Sequence, residues 1–581
     1  MKGKNDLEHY LNQIDNVNIE KLAVDTWYVS RGTAEVTIDI EGEKTTGKSV
    51  IWDGSKTPKT PELKKDGNIW HWYIYNPDQL KFLAYFVNNG NKLKPDEGET
   101  DTENTLDLTQ IVIDDGYNPE DVKIVESTTI VYLMNDLDLG ARAENNNWET
   151  ESNEAKKWTP IGITGDTTKQ FKAIFEGNNN TIKGMYVNKT DSKAGLFGIA
   201  NNTIIKNLTI EKSFFKSESG GVGAIVGFLS TSGEINNCNV KNCQIDSNGN
   251  LTGGISGTCG CNITSCNIEN STVKGMSATG GILGSSIDTG MKIENCHNKN
   301  TTVILKEGDC SIVGGIIGQA YKGMDGIYNC TNSGKIVAYG THFYKDFDQQ
   351  ICGGIVGALN SNVTVSGCLN EGIVIGYNQG ERIGGIIGDA KSNSITTKCH
   401  NLGNVTGNGN YVGGIAGMAA STIEKCINSG KITQKVGESL GGIVGKTLND
   451  GATKILNCYN IGKIIEESSN TNGVGGIIGA ITTDNTDREF KYNYNIGEIQ
   501  IKGTNVTNVG GIIGGCDTQL SNISNNYYEL NKSNVTLNNI GEGMSAEDMK
   551  KQSFVDLLNA EQSPLVWELG TSNNGYPTLK E

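Results

Sequence analysis

The sequence has very little arginine and proline, and it has no long apolar run. Four arginines accompany 45 lysines, 8 of the 581 residues are proline, and the formal net charge is −17. Nucleic-acid binding depends on basic side chains that neutralise phosphates, so this balance disfavours nucleic acid, and it also disfavours an anionic membrane surface. The 76 glycines show no collagen repeat. No apolar stretch reaches the roughly 18 residues of a transmembrane helix, so we expect no membrane insertion within this chain.

Several catalytic motifs are also missing. The five histidines form no H-E-x-x-H motif, and the sequence contains no P-loop and no nucleophile elbow. Acidic residues are scattered, whereas a polysaccharide lyase or hydrolase needs clustered carboxylates. No tryptophan occurs between residues 159 and 566 to line a sugar groove. We therefore expect no catalytic residues and no resident cofactor. Calcium binding at Asn135-Asp136-Leu137-Asp138 stays an open alternative, because these residues supply oxygen ligands. Their spacing matches no known calcium-binding loop.

What the sequence does contain is a phrase, Gly-Gly-Ile-Ile/Val-Gly, that recurs in seven close copies from Gly314 onward and in four looser copies before it. The last glycines of successive copies are 27 to 39 residues apart, a period typical of solenoids. Short β-branched segments joined by loops of variable length favour strand–turn–strand rungs. We predict a mainly β fold, a right-handed parallel β-helix of about eleven rungs, in which the phrase forms a corner that side chains would block. The clearest copies contain Gly314, Gly315 and Gly318; Gly353, Gly354 and Gly357; and Gly384, Gly385 and Gly388, and the others end at Gly198, Gly227, Gly257, Gly284, Gly417, Gly445, Gly479 and Gly514.

Eight of the 14 cysteines recur at one phase of the repeat, and they are Cys238, Cys266, Cys296, Cys330, Cys368, Cys399, Cys426 and Cys458. Equivalent positions on neighbouring rungs stack about 4.8 Å apart, so these residues should form a ladder. Metal binding would call for C-x-x-C pairs, which are missing, and parallel side chains suit the disulfide dihedral poorly. We interpret the ladder as buried free thiols that act as small apolar core residues, with disulfides between rungs as the alternative.

Three regions follow from these patterns. Residues 1–125 form an N-terminal α+β region with an acidic loop, residues 126–528 form the solenoid, and residues 529–581 form a C-terminal cap with a helix. In the first region Asn76 and Pro77 begin a helix, and Gly90 can end it. In the last region Ser545 to Asp548 resembles a capping box, followed by inward-facing Met549, Phe554, Leu557 and Leu558.

Some of these segments resemble the GLUG repeats of bacterial cell-surface proteins, which also occur in the N-terminal regions of IgA-protease-type metallopeptidases. The similarity lies in Gly195-Leu196-Phe197-Gly198, in the Gly-Gly-Ile-Val-Gly copies, in residues 130–139, 158–162 and 171–177, and in the ending 574–579. The resemblance implies a secreted or surface-anchored β-solenoid, extracellular or at the cell surface. The N-terminus has no signal-peptide core, which we interpret as removal of the signal. No catalytic residues carry over, because the peptidase motif is missing.

The function that we expect is a non-enzymatic adhesion or binding module whose partner is a host or cell-surface glycan or protein. Loops 319–326, 340–350 and 480–490 are the candidate contact surface, because solenoid insertions gather on binding faces. Two alternatives are a glycan-processing enzyme, which a cleft with two or three carboxylates within about 10 Å would favour, and a purely structural stalk.

Overall fold

The chain folds into a parallel β-solenoid of about ten turns, as seen in a computed structural model. This structure describes residues 57–580 apart from residues 100, 102, 125–127, 145–146, 164–165, 191–192, 231, 250, 307–310, 340–349, 378–381, 449–451, 483–487, 517–521, 539 and 572. Before residue 57 it describes Trp52 and the backbone of five strands, which are Val17–Leu22, Thr26–Arg31, Ala34–Val36, Ile38–Ile40 and Glu43–Thr45. The predicted mainly β fold class is confirmed. The right-handed winding, which nearly all parallel crossovers take, stays a prediction.

Each full turn visits four parallel sheets, named A to D in chain order. From residue 262 onward, each turn gives sheet A two short strands. A residue with positive φ separates them just before the ladder cysteine, as at Asn295 (53°) and Asn329 (52°). Asparagine tolerates this left-handed backbone better than most residues, so its frequency there follows from the bend. The strands of sheet A are Glu62–Asp66, Ile69–Ile74, Thr129–Leu133, Leu137–Asp138, Ile174–Glu176, Thr181–Lys183, Thr203–Glu211, Gly233–Lys241, Asn262–Thr264, Asn267–Glu269, Lys292–Glu294, His297–Lys299, Gly326–Tyr328, Thr331–Asn332, Thr364–Ser366, Leu369–Asn370, Ile395–Thr397, His400–Asn401, Thr422–Glu424, Ile427–Asn428, Lys454–Leu456, Tyr459–Asn460, Glu489–Lys491, Tyr494–Asn495, Ile523–Ser524, Tyr527–Glu529 and Glu542–Met544.

Sheets B and D have eleven strands each and sheet C has nine. The strands of sheet B are Tyr186–Lys189, Phe214–Ser217, Gln244–Ser247, Thr272–Gly275, Thr302–Leu305, Lys335–Ala338, Val374–Gly376, Val405–Gly407, Ile432–Gln434, Ile464–Glu466 and Ile499–Ile501. Those of sheet C are Leu251–Gly253, Ala278–Gly280, Ser311–Gly314, Gln350–Gly353, Arg382–Gly384, Tyr411–Gly413, Ser439–Gly441, Gly473–Gly475 and Val509–Gly510. Those of sheet D are Phe197–Ala200, Val226–Leu229, Ser256–Cys259, Leu283–Ser286, Ile317–Ala320, Val356–Leu359, Ile387–Ala390, Ala416–Ala419, Val444–Thr447, Ile478–Ile481 and Ile513–Cys516.

The register between turns aligns apolar residues with apolar residues of the next turn, and these residues form one continuous core. Val356 aligns with Ile387 in sheet D, and Cys352 aligns with Ile383 in sheet C. Their side chains point into the solenoid and are fully buried. Because each turn buries its apolar face only against its neighbours, the core is thin and long, which explains the low apolar fraction of 36%.

The N-terminal end of the solenoid is closed by a hairpin and a helix. The strand Ile69–Ile74 pairs in parallel with Thr129–Leu133, so the hairpin extends sheet A. The helix Pro77–Asn88 begins at the predicted cap, where the Asn76 side chain accepts a hydrogen bond from the Gln79 amide at 3.1 Å. Phe82 and Phe86 of this helix are buried against Trp72. The other helices before residue 170 are short, namely Thr109–Asp114, Pro119–Asp121, Glu151–Glu154 and Thr167–Lys169.

The C-terminal segment closes the other end and then folds back along one side. The strand Glu542–Met544 pairs with Tyr527–Glu529 as the last strand of sheet A. The helical pieces Asp548–Lys550 and Gln552–Leu558 and the strands Trp567–Glu568 and Thr578–Leu579 then cover the outer face of sheet A. Under them lie Tyr459, Tyr494 and Tyr527, so this tyrosine strip is packed core and offers no open sugar platform. Of the predicted inward residues, Met549, Phe554 and Leu558 are buried, but Leu557 is exposed because it lies on the opposite side of the helix.

Candidate functional site

The glycine phrase forms the corner between sheets C and D. Gly353 ends a sheet C strand, and Val356 begins the next sheet D strand. A Cβ on Gly354 would overlap the carbonyl oxygen of Gly385 and would lie 2.5 Å from Cγ of Asn370. A Cβ on Gly357 would lie 2.5 Å from Cγ2 of Ile312 in the preceding turn. Crowding between turns therefore demands glycine here. The same positions recur at Gly314, Gly315 and Gly318 and at Gly384, Gly385 and Gly388.

The eight repeated cysteines lie on one column of sheet A, with their side chains buried inside the solenoid. Cys238, Cys266, Cys296, Cys330, Cys368, Cys399, Cys426 and Cys458 are all free and 0 to 1% exposed. The thiol of Cys330 donates to the Tyr328 carbonyl at 3.2 Å, and Cys399 donates to the Thr397 carbonyl at 3.3 Å. Burial raises the pKa of thiols such as Cys330 and Cys426 well above the ordinary value. Because all eight thiols are buried away from solvent, we expect them to be unreactive in the folded protein.

We expect iodoacetamide to leave these ladder thiols unmodified in the folded protein. Cys516, the described cysteine that is partly exposed, should react first, because alkylation needs an accessible thiolate. Peptide mapping by mass spectrometry measures this, and the same protein in guanidinium chloride, where all 14 cysteines should react, is the control. Ladder peptides alkylated as fast as the Cys516 peptide, or joined by disulfides, would contradict the buried-thiol interpretation.

A second ladder, of asparagines, lies beside the cysteines and was missed in the sequence. Asn332, Asn370, Asn401, Asn428, Asn460 and Asn495 are buried, and each amide donates to the next at 2.7 to 2.8 Å. Each amide also hydrogen-bonds the glycine two residues ahead, as Asn401 does with the Gly403 carbonyl at 2.9 Å. The spacing Cys-x-Asn-x-Gly would have revealed this ladder. Its role is structural, because every amide is used within the solenoid.

The two aspartates that could have held Ca²⁺ already bind groups of the protein. Asp136 accepts a hydrogen bond from the Thr181 amide at 2.6 Å. Asp138 is buried and pairs with Arg142 at 2.6 Å. Burial would raise the pKa of Asp138, but the hydrogen bonds and charge of Arg142 outweigh it and lower that pKa. Within the described residues, no group of three or more His, Cys, Asp or Glu side chains is placed to hold a metal.

The long loops proposed as a contact surface are only partly described. Loop 319–326 exposes the Tyr321 ring, which is 47% accessible. Residues 340–349 and 483–487, the centres of the other two loops, lie outside the described residues.

Two adjoining cavities lie where the N-terminal region meets the first turn. The first has a volume of about 440 Å³ and is lined by the rings of Trp52, Tyr85 and Trp158. Trp52 and Trp158 are 5% and 2% exposed, and neither indole N–H has a hydrogen-bond partner among the described residues. The ammonium of Lys81 lies 4.7 Å from the Trp52 ring centre. This cavity therefore places aromatic rings beside charged side chains, among them Glu103, Glu154 and Lys157.

The second cavity, about 410 Å³, is polar, and its lining includes Asp101, Glu103, Asn104, Asn188, Thr190 and Lys193. Glu103 and Lys157 line both cavities. Lys189 binds Glu103 at 2.9 Å, and Lys157 lies 3.8 Å from Glu103 and 3.9 Å from Glu154. The two carboxylates therefore lie within about 8 Å of each other across one ammonium group.

The hydrogen bonds and charges in these cavities hold both glutamates in place. Burial alone would raise the pKa of Glu103, but the hydrogen bond and charge of Lys189 and the charge of Lys157 lower it overall. Glu154 accepts hydrogen bonds from the Tyr186 hydroxyl at 2.6 Å and from Asn188 at 3.1 Å. The sequence analysis missed this site because it considered tryptophan only as a possible lining of a sugar groove along the solenoid. The concentration of six of the seven tryptophans before residue 159 was the available signal.

Comparison with known proteins gives two partial likenesses. No protein-family model matches the sequence, so the GLUG resemblance stays a prediction. The chain is similar to a "Putative Gly-rich membrane protein" of Evansella cellulosilytica, with 35% identity over 88 residues. That match spans 14% of this chain and 10% of the relative. In the described part of this chain, no helix has the length and apolarity needed to cross a membrane.

One solved structure aligns along most of the chain. It is described as a putative immunoglobulin A1 protease from Bacteroides ovatus, and the alignment covers 88% of this chain and 92% of that one. The sequence identity is 14% and the TM-score is 0.24. A TM-score this low carries no argument about the fold or the activity of this chain.

Proposed function

We propose that this chain is a non-enzymatic binding or adhesion module of a bacterial GLUG-type surface protein, acting outside the cell on a glycan or protein. The observation that carries the proposal is the pair of cavities beside the first turn, where aromatic rings, amides and charged groups converge. The solenoid holds this site on a rigid, elongated support, because every turn is fixed to the next by backbone hydrogen bonds.

The protonation of the cavity supports binding over glycoside hydrolysis. A general acid needs a carboxyl group that stays protonated near neutral pH, and therefore a raised pKa. The pKa of Glu103 is instead lowered by its two lysine neighbours. Lys157 lies between Glu103 and Glu154 and neutralises charge on both. A ligand in this cavity would contact charged side chains that are held in place by their ion pairs, and such groups can recognise a polar ligand.

A glycan-processing enzyme is the second candidate, and one observation favours it. Glu103 and Glu154 lie within about 8 Å of each other, inside the range of carboxyl separations that inverting glycosidases use. The variants Glu103→Gln and Glu154→Gln, assayed on polysaccharides beside the unchanged protein, separate the two candidates. Hydrolysis that either variant abolishes would replace the binding proposal by the enzymatic one.

A glycan and protein array probed with the full chain tests the binding proposal directly. We expect saturable binding to a defined ligand, and we expect Trp158→Ala to weaken it at least tenfold because Trp158 lines the aromatic cavity. Tyr377→Ala, which removes an exposed ring on a later turn outside the candidate loops, is the aromatic control and should bind normally. An array without any bound ligand would favour the structural stalk.

A further inference from the structure

One lysine of the polar cavity, Lys193, is paired with no acidic group of the part of the chain that the structure describes. Lys157 and Lys189 are paired with Glu103, but Lys193 forms no ion pair and no hydrogen bond through its ammonium group within the described residues. Burial lowers the pKa of Lys193, and no neighbouring charge offsets this effect. An ammonium group that is partly removed from water without a partner is unfavourable unless a ligand supplies the negative charge.

The position of Lys193 is fixed by the glycines of the first turns. The stem of Lys193 crosses the sheet C–D corner, where a Cβ on Gly227 would lie 2.6 Å from the Lys193 Cβ. A Cβ on Gly221 would lie 3.5 Å from its Cδ. The stem therefore fills space that glycine leaves open, and Lys193 is one of the residues that line the polar cavity.

The same corner in a later turn shows what Lys193 lacks. The position of Lys193 in the first turn corresponds to that of Arg382 in the later turn. The residues that follow them, Ala194 and Ile383, belong to one column of aligned residues, whose members between them are Val222, Thr252, Thr279, Val313 and Cys352. Buried Arg382 pairs there with buried Asp389 of sheet D. The residue that aligns with Asp389 in the first turn is Ile199, through Phe228, Thr258, Ser285, Gln319 and Ala358. An apolar residue thus stands where the later turn has its acid.

We propose that the polar cavity binds the carboxylate of an acidic saccharide, a uronic acid, with Lys193 as the group that recognises the charge. Among the described residues, the lining has three lysines and two carboxylates, and Lys157 and Lys189 are the two lysines that pair with Glu103. Asn104, Asn188 and Thr190 can bond sugar hydroxyls, while the adjoining aromatic cavity can hold a neighbouring sugar ring. The net charge of −17 disfavours a polyanion, which limits the ligand to one charge at this point.

This inference rests on the proposed binding function, and it is tested with the full chain and simple sugars. Isothermal titration with galacturonate and glucuronate should show saturable binding, whereas galactose and glucose should bind at least tenfold more weakly. Lys193→Met keeps the stem over Gly221 and Gly227 and removes the charge, so it should lower uronate affinity at least tenfold. Lys193→Arg should retain binding, and Lys435→Met, an exposed lysine elsewhere, is the charge-matched control.

Three results would overturn the inference. The first is no uronate binding by the unchanged protein at about 10 mM ligand, which is about 100-fold above the Kd of a site with a Kd of about 0.1 mM. The second is equal binding by Lys193→Met. The third is equal binding of glucose 6-sulfate, which would remove the assignment to a carboxylate. Binding of an array ligand that Lys193→Met leaves unchanged would overturn only this inference, and the broader binding function would stand.

Discussion

Replacing Gly354 with alanine is expected to unfold the turns around it, although the change adds a single methyl group. Gly354 does not lie in the left-handed φ region, so alanine could adopt its backbone, and the obstacle is space. The added Cβ would overlap the Gly385 carbonyl and press on Asn370. Asn370 cannot move aside, because its side chain bonds both Asn332 and Asn401 at 2.8 Å.

We expect Gly354→Ala to lower the free energy of unfolding of these turns by more than about 4 kcal/mol, in the range where single substitutions are exceptional. Hydrogen exchange of residues 350–401, together with the thermal midpoint, measures it. Gly290→Ala is the control, since Gly290 has open surroundings and a φ of +79°. The control should lower the free energy of unfolding by about 1 to 2 kcal/mol, because alanine is less stable than glycine in left-handed backbone. Equal losses in the two variants would show that crowding at the corner is not what requires glycine.

The solenoid was predictable because each turn meets a copy of itself. Periodic glycine indicated the corner, and periodic cysteine indicated a column, since equal spacing along the chain becomes stacking in space. The neighbours that crowd Gly354 belong to the next turn, which the phrase alone does not identify. The asparagine column could have been found by the same argument from Asn332, Asn370 and Asn401, because it recurs two residues after the cysteines.

The candidate site was not predictable in this way, because it is built from unrepeated segments. Trp52, Glu103 and Trp158 are separated by about 50 residues each along the chain, and no period relates them. They meet because the hairpin and helix close the first turn, and that packing depends on tertiary contacts that composition and spacing do not encode. The lack of an acidic partner for Lys193 was also not predictable, because only the register of the structure aligns Ile199 with Asp389, the residue that pairs with Arg382 in the later turn.

A buried carboxyl group in sheet B should make the solenoid lose stability as the pH rises. Glu466 is fully buried, and one of its carboxyl oxygens has no hydrogen-bond partner in the part of the chain that the structure describes. The other accepts a hydrogen bond from the Ser468 amide at 2.5 Å. Burial raises the pKa of Glu466 to about 7 from 4.5, against the weaker lowering effect of the bonds to Ser468 and Thr471. In the preceding turn the aligned residue is Gln434, a neutral amide that bonds the Gly409 carbonyl at 2.8 Å.

The sign of the pH dependence follows from this raised pKa. Below pH 4.5 the carboxyl group is protonated in both the folded and the unfolded chain, and the folded protein has its full stability with respect to this group. Between pH 4.5 and about 7 the unfolded chain ionises while the folded chain stays protonated, so the free energy of unfolding falls. The total loss is roughly 3 kcal/mol, since each pKa unit corresponds to about 1.4 kcal/mol.

Glu466→Gln should remove this loss and stabilise the protein by up to roughly 3 kcal/mol at pH 8, with little change at pH 4. The physical reason is that glutamine cannot ionise, and Gln434 shows that the solenoid accommodates an amide at this register. Thermal midpoints and hydrogen exchange of residues 432–501, measured from pH 4 to 8, test the prediction. Glu467→Gln is the matched control, because Glu467 is solvent-accessible and pairs with Lys502 at 2.9 Å, so its removal should change stability by less than about 1 kcal/mol. If the pH dependence of the two variants were the same, Glu466 would not be the group that titrates.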